Sequence, residues 1–198
     1  MTTKKANPPV RMLLLVGDMI GANCLTGGKK LSILEKFESY GWDLTIAGTK
    51  DLVAPCPFAA ERSLEAPKID RLIDNITDIT EFDAVSILPG PSHTGLIESE
   101  HVLRLLHQAV NQGLIVSAWC RGVRVLAAAN VVRGRQIVGH EDDKEFIEQA
   151  GGVFVGQDHP PITDGNLVTG ARSYYYRAKN AEAIKKAVQA RQEQLAKQ

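Results

Sequence analysis

The sequence predicts a single α/β domain, a doubly wound and mainly parallel sheet with helices on both faces. Three observations carry this expectation. Short apolar runs alternate along the chain with segments whose apolar residues recur at helical spacing. Runs such as Met12 to Val16 and Leu114 to Ala118 are apolar without alternation, as strands covered on both faces must be. The chain has 198 residues, 44% hydrophobic and 23% charged, enough for one full core.

Met12 to Val16 reads as the first strand. Leu31, Leu34, Phe37 and Tyr40 share a helix face that Gly41 ends. Leu44 to Ala47 is a second strand. Residues 49–67, with Pro55, Pro57 and Pro67, lack periodicity and read as an excursion or small hairpin. Ile69 to Ile73 fits a short helix. Ala84 to Leu88 is a strand stopped by Pro89-Gly90-Pro91. Ser99 to Gln112 is a helix with Val102, Leu105, Leu106 and Ala109 on one face, closed at Gly113. Leu114 to Ala118 is followed almost at once by a helix from Val123 to Asn130. Ile137-Val138, Val153 to Val155 and Leu167 to Thr169 are later short strands, with a helix at Asp142 to Ala150. A long helix runs from about Ser173. Residues 1–9 read as a tail and 10–198 as the domain. Ligands in such folds sit at the carboxyl ends of strands, so the loops to inspect are 17–28, 89–95 and 119–122.

Composition narrows the function. Lysine plus arginine and aspartate plus glutamate number 23 each, a formal charge of zero. Nucleic-acid binding calls for a basic surplus that is absent both globally and in any block. No apolar stretch approaches the ~20 residues of a membrane span. The start carries Lys4 and Lys5, but the apolar run behind them is shorter than the ~7–15 residues of a signal peptide. A cytoplasmic globular protein is the expectation. Cys24, Cys56 and Cys120 form neither a disulfide framework nor a zinc-ligand pattern.

Trp119-Cys120-Arg121-Gly122 makes the turn between a strand and a helix. A side chain on so sharp a turn projects from the top of the sheet, and the free amides of the next helix point at it. The partial positive charge there favours thiolate over thiol. A free cysteine is ordinarily a small buried hydrophobe; the turn is what makes Cys120 a candidate nucleophile.

Ser117-Ala-Trp-Cys120-Arg-Gly122, preceded by Phe82-Asp-Ala-Val-Ser-Ile-Leu-Pro-Gly90, resembles the ThiJ/PfpI superfamily within the class I glutamine amidotransferase-like, flavodoxin-like fold. The likeness continues through Val131-Val-Arg-Gly-Arg135, Ala150-Gly151-Gly152-Val153 and Asp164-Gly-Asn-Leu-Val-Thr169. It implies a homodimer without a cofactor, and one of several activities, among them glyoxalase- and deglycase-like, amidase or protease-like and nitrile-directed chemistry, or redox sensing.

Three departures from the family's pattern matter. The family's acidic residue after the first strand has no clear counterpart: its place falls on Cys24 or near Lys29, and Asp18 is the only carboxylate in the loop. Where the family shows Pro-Gly-Gly, this chain has Pro89-Gly90-Pro91, and Pro91 has no N–H to offer an oxyanion. Where several members place histidine after the cysteine, this chain has Arg121, which cannot be a general base and argues against peptidase activity.

The expected catalytic set is therefore Cys120 as nucleophile, Arg121 through its amide, and Asp18 or His93 moving protons. Gly90, Pro91, Cys24, Gly122 and Arg124 complete the expected ligand-binding set, with no metal. Arg121 and Arg124 are expected near the thiol, holding an anionic group. Cys24 could instead pair with Cys120 as a redox couple. His140-Glu-Asp-Asp143 reads as a helix start rather than metal ligands. Gly27-Gly28-Lys29-Lys30 lacks the full phosphate-loop pattern and is discounted. Tyr174-Tyr-Tyr176 suits a subunit interface. The function expected is a cysteine-dependent enzyme acting on a small electrophile, a reactive aldehyde or nitrile-like group, in the setting of a stress response. The alternative is a redox-sensing or ligand-binding protein that retains the thiol alone.

Overall fold

Five consecutive apolar or amphipathic residues, Arg11–Leu15, form β1, and the direction in which they alternate organises the molecule. Leu13 and Leu15 join one core layer, while Met12, Leu14 and Val16 join the other. The computed structural model describes residues 9–197; of the expected tail at 1–9, all but the last residue lies outside them.

After β1 come β2 (Met19–Ile20), α1 (Ala22–Leu25) and α2 (Ile33–Glu38). Ser32 caps α2 in a reciprocal box with Glu35, which satisfies two amides that a helix start leaves open. The path continues through β3 (Asp43–Gly48), β4 (Ala54–Pro55), α3 (Pro57–Ala60) and β5 (Arg71–Leu72). Then come β6 (Ala84–Ile87), α4 (Thr94–Glu98), α5 (Glu100–Asn111) and β7 (Ile115–Trp119). The last third holds α6 (Val123–Ala128), β8 (Gln136–Ile137), α7 (Lys144–Gln149), β9 (Val153–Phe154), β10 (Ile162–Asp164), β11 (Leu167–Gly170) and α8 (Ser173–Leu195).

The main sheet has seven strands in the order β10-β11-β7-β6-β1-β3-β5. Every pairing in it is parallel except β10 with β11. Leu105, Leu106, Val125 and Leu126 cover one face, from α5 and α6. Phe37, Ala181, Ile184 and Val188 cover the other, from α2 and α8. The expected doubly wound sheet is thus present. Its order reverses between β1 and β6, and that switch point is where such folds open a crevice at the carboxyl ends of the strands.

Several local expectations are corrected. Ile69 to Ile73 is not a helix: Arg71–Leu72 pairs with β3 and a 3-10 turn, Ile73–Asn75, follows. Five residues cannot meet the cost of nucleating a helix, whereas Asp70 docks the segment by accepting the Ile46 amide at 2.8 Å. The 49–67 excursion holds no hairpin; β4 pairs in parallel with β2, and Pro57 starts α3 at a position where its missing N–H costs nothing. The helix expected from Asp142 begins as a 3-10 turn, Glu141–Asp143. The β10–β11 hairpin, unforeseen in its first strand, turns through Gly165 at φ 59°. The strands at Ile137 and Val153 belong to a separate two-stranded sheet.

Candidate active site

Cys120 stands where β7 ends and a 3-10 turn, Cys120–Gly122, leads into α6. Its backbone is left-handed, φ 49°, which costs a side-chain-bearing residue about 1–2 kcal/mol. Two neighbours hold it there. Trp119, fully buried, donates its indole N–H to Ser86 Oγ at 3.0 Å, and Ser117 Oγ bonds the same oxygen at 2.8 Å. Gly122 backs onto β6: a Cβ there would lie 3.0 Å from a methyl of Ile87. The Arg121 amide heads the turn, where a helical segment supplies no acceptor of its own.

The loops after β1 and β6 meet beside this elbow. The Gly21 amide donates to Pro89 O at 2.8 Å. Gly90 is required by that contact, since a Cβ would fall 1.9 Å from Met19 O. Pro91, next in line, offers no amide.

The fourth contribution comes from the segment after β11, which sequence reasoning did not inspect. Arg172 is also left-handed, φ 47°. Its guanidinium ion-pairs Asp158 at 2.8 Å, and that bond raises its pKa. The same carboxyl-end rule that selected the other three loops, applied to the last parallel strand, would have found it.

The expected proton carriers are otherwise engaged. Asp18 accepts from Ser92 Oγ at 2.8 Å and from the Gly95 amide at 3.2 Å. Burial pushes its carboxyl up, but these bonds and the charge of Lys50 outweigh it and hold the group below its ordinary value. Asp18 is therefore an ionised anchor for the start of α4. His93 is buried, with Nε2 2.9 Å from Leu88 O. Burial lowers its pKa, so it is a neutral ring bonded to the backbone. Among the described residues neither group hydrogen-bonds Cys120, and no carboxylate does.

Arg121 and Arg124 turn away from the expected role as well. Arg121 ion-pairs Asp142 and lies 3.8 Å from Asp143; Arg124 ion-pairs Asp143. Asp143 has no exposed side-chain surface, and a buried carboxylate demands such partners. The two guanidiniums serve α7 rather than an anion at the thiol. Cys24, expected in the ligand-binding set, has no accessible surface; its thiol lies 3.6 Å from Pro89 O. Burial drives its pKa strongly upward, which disables it as an attacking thiolate. Cys24, Cys56 and Cys120 are all unpaired.

A surface groove of about 770 Å³ between Lys36 and the middle of α8 contains none of these residues. No described helix is long and apolar enough to cross a membrane.

Comparison with known proteins places this architecture. Residues 30–186 match the family model described as the DJ-1/PfpI family. Protein DJ-1 homolog D of Arabidopsis thaliana is 36% identical over 106 residues, half of this chain and 27% of that protein. Protein/nucleic acid deglycase 2 of Escherichia coli is 31% identical over 117 residues, 59% of this chain and 67% of the relative. A deglycase of Pyrococcus horikoshii is 30% identical over 105 residues, covering 52% of this chain and 60% of its own length. The alignments thus span from about a quarter to two thirds of these relatives. Among solved structures, a ThiJ/PfpI domain protein from Brachyspira murdochii superposes with TM-score 0.74 at 18% identity, over 91% of this chain and 96% of that one. Drosophila melanogaster DJ-1beta does so with TM-score 0.67 at 21% identity, over 94% and 98%. At such identities these two speak for the fold alone. The match over residues 30–186 carries more: it takes in the elbow and the strands that hold it, and the chain belongs to the DJ-1/PfpI family.

Proposed function

We propose that the protein is a cysteine-dependent enzyme acting on a small electrophile, with a reactive aldehyde as the first substrate class. The observation that carries this reading is the left-handed backbone of Cys120 at the elbow, one residue past the point where β7 pairs with the end of β11, beyond which Arg172 is left-handed too. Backbone strain of this kind persists where the surrounding structure over-determines it, and it concentrates at functional sites. The thiolate attacks the carbonyl carbon, a C–S bond forms, and the π pair moves to oxygen as a developing oxyanion. The Arg121 amide donates to that oxygen, and solvent returns the proton to give a hemithioacetal. Two of the relatives carry deglycase names, which agrees with carbonyl chemistry at a cysteine. A cytoplasmic homodimer is the assembly and setting proposed with it.

A redox-sensing or ligand-binding role is the second reading. It draws on Pro91, which removes one oxyanion donor, and on the lack of a carboxylate bonded to Cys120 among the described residues. Losing one such donor costs about 10²–10³ in rate.

The deciding experiment is the alkylation rate of Cys120 against pH, followed by peptide mass mapping, together with methylglyoxal consumption by wild type and Cys120→Ala. The expected outcome is faster alkylation of Cys120 than of a free thiol at the same pH and a slow turnover that Cys120→Ala abolishes. Fast alkylation without turnover favours the sensor. Alkylation no faster than that of a free thiol leaves the elbow as scaffold and ends the enzyme reading.

A further inference from the structure

A second binding feature lies on the other flank of the first turn of α8. A groove of about 470 Å³ opens between the 26–30 loop, α3 and α8, lined by Lys29, Lys30, Phe58, Tyr174, Tyr175 and Arg177 among others. Its volume falls in the range of small-molecule sites.

Arg177 is the feature that asks for an explanation. It is only 7% exposed, yet no described carboxylate forms an ion pair with it. Its guanidinium donates to two loop carbonyls, Thr26 O at 3.2 Å and Gly27 O at 3.4 Å. Both bonds are long, and most of its five donors are uncommitted. A buried guanidinium without an ion-paired carboxylate is costly, and its planar fork suits a phosphate oxygen pair. The nearest acid to act on it is Glu35, which accepts the Ser32 amide at 2.7 Å and feels the Arg177 charge without forming an ion pair with it. Lys29 and Lys30, at the rim, likewise lack an ion-pair partner among the described residues.

The loop carrying these lysines is built rather than slack. A Cβ at Gly27 would fall 1.7 Å from Lys30 O, and Gly28 is left-handed at φ 62°. Three aromatic rings line the same groove. Tyr174 and Tyr175 are 72% and 75% exposed and pack edge to face, centroids 5.2 Å apart. Phe58 is half-exposed, with Arg62 over its ring at 3.4 Å. Exposed aromatic side chains beside unpaired cations recognise a ligand that is flat at one end and anionic at the other.

We infer that this groove is a binding site for an aromatic phosphate ester: Arg177, Lys29 and Lys30 hold the phosphate, and Tyr174, Tyr175 and Phe58 pack on the ring. The site concerns binding and does not depend on turnover at Cys120.

Titration calorimetry with phenyl phosphate, inorganic phosphate and phenol, at matched ionic strength, tests it. Phenyl phosphate binds saturably, inorganic phosphate more weakly, and phenol not at all. The double variant Lys29→Ala/Lys30→Ala weakens both phosphates at least tenfold while its circular dichroism melt is kept. The double variant Tyr174→Ala/Tyr175→Ala lowers phenyl phosphate to the level of inorganic phosphate and leaves the latter unchanged. Cys120→Ala binds like wild type, which separates this site from the proposed chemistry. Lack of saturable phosphate binding to wild type, or equal binding in both double variants, overturns the inference and leaves Arg177 as a staple between α8 and the loop.

Discussion

Cys120 and Arg172, at φ 49° and 47°, are strained in the same sense just past the paired ends of β7 and β11, whereas His93 shows the opposite economy. Buried at the start of α4 and bonded to Leu88 O, it is held neutral: burial, more than any charge near it, lowers its pKa from 6.5. The sign of the consequence follows. As pH falls through about 6.5 the unfolded chain takes up a proton that the folded one refuses, so folding stability drops as pH falls. The slope for one such proton is at most about 1.4 kcal/mol per pH unit. Urea denaturation between pH 7.5 and pH 5 is expected to show this loss in wild type and a flatter profile in His93→Gln. Parallel profiles would mean that His93 titrates normally.

At the scale of elements, the elbow depends on residues buried inside the neighbouring strands. Ser86, in β6, accepts from Trp119 and from Ser117 in β7, which locks the strand that ends at Cys120. Ser86→Ala leaves the indole N–H buried without an acceptor. It is expected to cost about 1–3 kcal/mol in chemical denaturation and to change the alkylation rate of Cys120, although residue 86 is fully buried. A stability loss with an unchanged alkylation rate would mean that the elbow is held by Gly122 and α6 alone. Pro89-Gly90 is the matching device on the other side. It was legible as a strand stop, but its task of receiving the β1 loop through Gly21 was not, because that contact joins residues far apart in the chain.

Across the whole molecule, the two core layers meet on a central set of strands buried on both faces, while the β2–β4 and β8–β9 pairs are peripheral and two residues long. Opening free energy follows buried contact. Hydrogen exchange read by mass spectrometry is expected to be slowest in β1, β6, β7 and β11 and much faster in β8 and β9. Equal protection in β8 and β7 would make the small sheet part of the central cooperative unit.

By itself the sequence determined the sheet, its covered faces and the elbow. Unbroken apolar runs, helical spacing and the Trp119-to-Gly122 turn are local patterns, and their physics is local. Only the tertiary structure decided which charged groups belong to the site. Arg121 and Arg124 went to Asp142 and Asp143, Asp18 to Ser92 and Gly95, and Arg172 to Asp158. A charge bonds whatever opposite charge or dipole the fold brings within a few ångströms, and sequence spacing does not carry that distance.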